Sequence, residues 1–268
     1  MNMRNTAFFW TAVVAWIIGG CAPTSGRGDT FADPVSRVDN KAKMLELPSY
    51  DKSEHVLEYD GFTVSYNHTT LVPNWVAYEL LDEELNGSYN TRSSNFSRDP
   101  NLVGEQASRE DYSHSGWDKG HMAPKADMRW SSASYWQSHY FTNICPQNHT
   151  FNAGDWNTLE QKVRGLAKKY GRVWVICGPI FTTHEFGTIG DAKVQVPDQF
   201  FKALPIKNGS DYSAIAYVMP NKAKHHPLKE YACTVDELEL LIDRDLFPKL
   251  DDAIETAIEK EINWTYWK

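Results

Sequence analysis

The chain has 268 residues, 41% of them hydrophobic and 13% aromatic, with a formal net charge of −8. That composition does not point to a disordered protein and is enough to bury a full core, and one large domain is expected. Net acidity speaks against binding polyanions by bulk attraction. The stretch from Thr91 to Arg172 nevertheless holds eleven Lys/Arg against eight Asp/Glu, a local +3.

Residues 1–21 carry Arg4, an apolar run from Ala7 to Ile18 and then Gly19-Gly20-Cys21, the layout of an export signal. The run from Ala7 to Gly20 is 14 residues, shorter than the roughly 20 needed to span a bilayer. Ile18-Gly19-Gly20-Cys21 is similar to a bacterial lipobox, which implies a lipid on Cys21 as membrane anchor. The expected location is therefore outside the cytoplasm, in a bacterial cell envelope as an outer-membrane lipoprotein, or secreted. Residues 22–53 mix Pro, Gly, Ser, Asp and Lys without periodicity and read as a tether, leaving 54–268 for the folded domain.

Phe62–Tyr66 and Trp75–Leu80 read as strands separated by a turn at Pro73-Asn74. The segment from Asp82 to Trp117 exceeds the usual connection length and is suspected of function. Asn152 to Tyr170 reads as a helix that Asn152 is placed to cap, with Lys168 and Lys169 near its end before Gly171. Arg172–Gly178 and Tyr212–Met219 are further strands, the first apolar on both faces and so central. Thr234 opens a helix with Glu237 at capping-box spacing, and Asp251–Ile262 a last one. Cys145, Cys177 and Cys233 allow at most one internal disulfide, and their spacing shows no zinc pattern.

Asp118-Lys119-Gly120-His121-Met122-Ala123-Pro124 is followed by Asn143, Asn152 and Glu160. A histidine near neutral pKa can take a proton from water, while amide and carboxylate oxygens suit a hard Mg²⁺ ion that keeps most of its waters. Glu160 and Arg164 are four apart and share a helix face, which read alone is a common surface ion pair. Together these groups point to phosphodiester hydrolysis.

The ordered set resembles the DNA/RNA non-specific endonuclease family of ββα-metal (His-Me finger) nucleases. It is carried by Trp75-Val76-Ala77-Tyr78, Arg92 ahead of Phe96 and Asp99-Pro100, Ser115 through Pro124, Thr142 through Gln147, and Phe151-Asn152 through Glu160. The resemblance implies an α+β fold, a central, mostly antiparallel sheet flanked by helices. It implies His121 as general base, Asn152 as direct ligand of one Mg²⁺ with Mn²⁺ able to substitute, and Glu160 holding a water of that ion. Asn143 would support the site, while Arg92 and Arg164 would neutralise the scissile phosphate. The implied activity is sugar-non-specific cleavage of DNA and RNA to 5′-phosphate products. Lys119 stands where the family usually has Arg, which keeps the charge for substrate binding but loses the planar fork. The alternative is a catalytically weak surface lipoprotein that binds nucleic acid or a partner.

Overall fold

A computed structural model describes residues 45–91 and 95–268. The export and lipid-anchor expectations, together with residues 22–44 and Arg92, lie outside those residues. The tether ends earlier than expected. Leu45 and Leu47 are buried, and Ser49 donates from its N–H and its hydroxyl to the Asp245 carbonyl, so residues 45–53 belong to the folded body.

The sheet begins with an antiparallel meander of β1 (His55–Glu58), β2 (Thr63–Asn67) and β3 (Val72–Leu81). The turn between β2 and β3 is at residues 68–71, with Leu71 at φ 58°, rather than at Pro73-Asn74. Pro73 has no N–H to give the ladder; it sits opposite Tyr66, where the register shifts between Ser65 and Tyr66, and beyond the pairing of β3 with its other neighbour.

The long segment after β3 is not structureless. It contains α1 (Arg109–Tyr112) and leads into β4 (Asp118–His121). After α2 (Ser132–Gln137), β5 (Ile144–Gln147) returns antiparallel to β4, pairing His121 with Ile144 and Asp118 with Gln147. The helix that follows starts earlier than the sequence reading placed it. Asn148, not Asn152, is its cap, accepting from the N–H groups of Thr150 and Phe151. It comprises α3 (His149–Phe151), a π turn (Asn152–Trp156) and α4 (Asn157–Tyr170), ending on Gly171 at φ 82°.

The rest of the sheet is β6 (Arg172–Ile180), then, past the small hairpin β7 (Thr188–Ile189) and β8 (Val194–Gln195), β9 (Gln199–Asn208), β10 (Asp211–Pro220) and β11 (Ala232–Cys233). The seven strands run β1-β2-β3-β6-β9-β10-β11 with antiparallel pairing throughout. Thr234 and Glu237 form the expected capping box of α5 (Val235–Ile242), and Asp251 caps the shorter α6 (Asp252–Glu259).

Side-chain alternation divides the core into two layers, because successive residues of a strand face opposite sides. Val76, Tyr78, Leu80, Val175 and Cys177 pack with Met122, Phe141, Leu159 and Val163 on the face that carries the β4–β5 hairpin and α4. Trp75, Ala77, Ile176, Phe201 and Ala203 pack on the other face with Val235, Leu238 and Ile258 of α5 and α6. β6 is therefore covered on both sides, as its unbroken apolar run requires. Cys145, Cys177 and Cys233 are free thiols. No helix of the described residues is long and apolar enough to cross a membrane.

Candidate active site

The β4–β5 hairpin carries Lys119, His121 and Asn143, the helix behind it carries Asn152, Glu160 and Arg164, and the two meet where Trp156 bonds His121 and Asn152 bonds Asp118. Alternation puts Lys119 and His121 on one face of β4 and Asp118 and Gly120 on the other. Gly120 is required there, since a Cβ would lie 2.0 Å from Oε1 of Gln147. His121 is packed by Phe96, with ring centroids 5.3 Å apart, and edge-on by His139 at 5.2 Å. Lys119 Nζ sits 5.7 Å from the centroid of the same Phe96 ring and 5.4 Å from that of Tyr112. The long segment ahead of the hairpin thus contributes the aromatic wall of the site.

His121 Nε2 is buried and has no hydrogen-bond partner among the described residues. Burial, with smaller contributions from His139 and Lys125, pushes its pKa down to about 3. The ring is neutral at physiological pH, the state a base needs.

Asn143 is fully buried and does not touch the imidazole. Its side chain accepts from Ala123 N–H at 2.9 Å and donates to the carbonyls of Ala123 and Ser138, while its own carbonyl accepts from Met122 N–H. It fixes the backbone immediately after His121. Trp156 fixes the residue itself, donating its indole N–H to the His121 carbonyl at 3.2 Å.

Asn152 donates from Nδ2 to Asp118 Oδ2 at 2.9 Å, and His149 Nδ1 lies 2.9 Å from the same oxygen. That contact leaves the amide oxygen of Asn152 as the group it can offer a cation. The π turn sets its direction. In a regular α-helix, residues eight apart are about 80° out of line at 100° per residue. The extra residue taken up by a π turn reduces this to about 20°, which aligns Asn152 with Glu160.

Glu160 and Arg164 do share a face, yet Arg164 bonds elsewhere. Its Nη1 donates to Asp127 Oδ1 at 2.8 Å, and Asp127, fully buried, also accepts from Tyr78 Oη at 3.0 Å. Burial raises Glu160 to about 7; Lys202 and Arg164 favour its anion and Asp127 opposes it. A half-buried, desolvated carboxylate raised in this way is relieved by a hard cation, so the donor set of Asn152 and Glu160 fits Mg²⁺ with retained waters.

Sequence reasoning missed Asp127, Trp156 as the anchor of His121, and Lys202. Lys202 is fully buried on β9, its Nζ lacks a hydrogen-bond partner among the described residues, and it lies 4.5 Å from the Trp156 ring centroid. The available signal was a lysine inside the apolar run Phe200-Phe201-Lys202-Ala203-Leu204, since lysine is rarely fully buried without a charge partner. His225 bonds Asp155, which also accepts from His226 N–H and Tyr231 Oη and so ties that loop to the π turn.

A family model described as DNA/RNA non-specific endonuclease matches residues 44–253. The chain belongs to that family. This is a family of nucleic-acid-hydrolysing enzymes. The mouse mitochondrial nuclease EXOG is 29% identical over 280 residues, covering 93% of this chain and 75% of that protein. The Xenopus laevis mitochondrial nuclease EXOG is 34% identical over 209 residues, covering 72% of this chain and 58% of that protein. The crystal structure of an EndoG/EndoGI complex has a TM-score of 0.74 at 26% identity, covering 83% of this chain and 96% of that chain.

These mitochondrial relatives overturn the expectation of a bacterial envelope or secreted location. A basic start and a short apolar run describe a segment that targeting machinery reads, and those physical features do not by themselves specify the destination.

Proposed function

We propose that this chain is a Mg²⁺-dependent, sugar-non-specific endonuclease that hydrolyses phosphodiester bonds of DNA and RNA to 5′-phosphate products. The observation that carries this reading is the buried, unpartnered, neutral Nε2 of His121 beside the helix that holds Asn152 and Glu160. His121 takes the proton of the attacking water, and burial keeps it from being protonated beforehand. Trp156 holds the His121 carbonyl and Asn143 the backbone of Met122 and Ala123 just after it, which restrains the direction of the ring.

Asn152, oriented by Asp118, and Glu160, through a water, would hold Mg²⁺, with Mn²⁺ able to substitute. The ion supplies charge compensation at the phosphate and an acidified water for the departing 3′ oxygen. Arg164, anchored by Asp127, has further guanidinium donors to place on a nonbridging oxygen. Arg92 is assigned the same duty from the sequence resemblance, and Lys119 a looser contact along the strand. Contacts to phosphate carry no base information, hence cleavage without sequence preference.

The test is incubation of plasmid DNA and of RNA with the protein, with and without Mg²⁺, beside a His121→Ala variant. Mg²⁺-dependent cutting of both polymers that disappears in the variant is expected. Cutting that survives the substitution, or polymers intact under every condition, overturns the proposal.

A further inference from the structure

On the face of the sheet opposite the catalytic hairpin, α5 and α6 bring acidic side chains together. Asp236 and Glu239 are three apart on α5, and Glu255 and Glu259 four apart on α6, so each pair shares a helix face. One carboxylate oxygen from each of Asp236, Glu239 and Glu259 falls in a group whose members all lie within 4.8 Å of one another. Glu259 is only 7% exposed, and its buried Oε1 has no hydrogen-bond partner among the described residues. Glu239 is already oriented, because its Oε1 accepts from Leu246 N–H at 2.6 Å.

The surrounding charges make this grouping costly without a counter-ion. Burial first, and then the neighbouring carboxylates Asp236, Asp245 and Glu255, push Glu239 up to about 7; burial, Glu239 and the same three carboxylates push Glu259 up to about 8. The spacing suits an ion: two oxygens bound to one calcium at about 2.4 Å each can be at most about 4.8 Å apart. The last part of α6, with Glu255 and Glu259, lies beyond the stretch matched by the family model, which ends at residue 253.

We propose that Asp236, Glu239 and Glu259 form a second cation site, for a hard divalent ion of the calcium type, that ties α5 to α6. The ion completes its shell with water on the side of exposed Asp236, and Glu239, held by Leu246, sets the direction of approach. The site is separate from the proposed nuclease chemistry and stands or falls without it.

The test uses the full chain carrying Asn152→Ala, so that uptake by the catalytic region is suppressed. Calorimetric titration with Ca²⁺ is expected to show one ion bound per chain, and thermal unfolding to rise with Ca²⁺ concentration by mass action. Adding Glu259→Gln, which preserves shape, should weaken binding at least about tenfold and abolish the thermal shift, removing a charged ligand. Asp236→Asn, at an exposed position that does not threaten folding, should weaken it less. Absence of Ca²⁺ uptake with an unchanged melting temperature overturns the proposal, as does binding that survives both substitutions unaltered.

Discussion

Two acidic regions on opposite faces of one sheet handle buried charge differently. Behind the candidate active site, Asp127 meets Arg164 and Tyr78, Asp118 meets Asn152 and His149, and Lys202 lies near Glu160. Between α5 and α6, carboxylates of Asp236, Glu239 and Glu259 face one another, and burial together with neighbouring carboxylates raises Glu259. The first arrangement holds its geometry with charges the chain itself supplies, whereas the second is left incomplete by the chain. Internal balance fixes directions; external neutralisation makes stability depend on what is in solution.

The comparison is broken most severely at the base. His121→Ala should lower the single-turnover cleavage rate by about 10²–10⁴ with Mg²⁺ present, leaving circular dichroism unchanged. A loss confined to KM would instead make His121 a binding group.

The balance behind the site is tested by Lys202→Met, which removes a fully buried cation beside Trp156 and near Glu160. Urea unfolding should show a loss of about 3–5 kcal/mol, the usual consequence of leaving a buried charge uncompensated. A neutral result would mean that Lys202 has no part in the array.

Gly120→Ala probes the contact between β4 and Gln147, where the added Cβ meets a buried amide. The expected loss is about 1–3 kcal/mol in the same unfolding experiment, as for other overpacked sites. Unchanged stability would show that Gln147 moves aside freely.

Protons sharpen the contrast in opposite senses. Glu160, at about 7 in the folded protein, must be ionised to help hold a cation, so protons compete with the metal. Mg²⁺ affinity measured by calorimetry should fall about tenfold per pH unit below 7. A flat profile would detach Glu160 from the ion.

At the other cluster, Glu259 is raised from 4.5 to about 8, so its anion disfavours the fold. The sign follows from linkage: below 4.5 the group is protonated in both states and has no effect, while stability falls as pH rises from 4.5 towards 8. In a chelator, Glu259→Gln should therefore raise the melting temperature at pH 8 and leave it unchanged at pH 4. This is the smallest of the expected effects, and equal shifts at both pH values would assign it to packing.

The sequence determined the elements and the order of the reacting groups, because their signals are local. Strand alternation, the capping box at Thr234 and the apolar run of β6 depend on neighbours a few residues away. His121, Asn143, Asn152 and Glu160 lie on one hairpin and the helix that follows it, so their order along the chain nearly prescribes their proximity. Sequence alone did not yield the π turn, which inserts a residue into a pattern that otherwise reads as continuous helix from Asn152. Nor did it yield the partner of Arg164: four-residue spacing pointed to Glu160, and the fold brought Asp127 closer. Tertiary structure also placed Lys202 under Trp156 and faced Glu259 towards Asp236 and Glu239. Those contacts join residues 20 to 46 positions apart across packed elements, where distance is decided by how the layers pack, not by any local period.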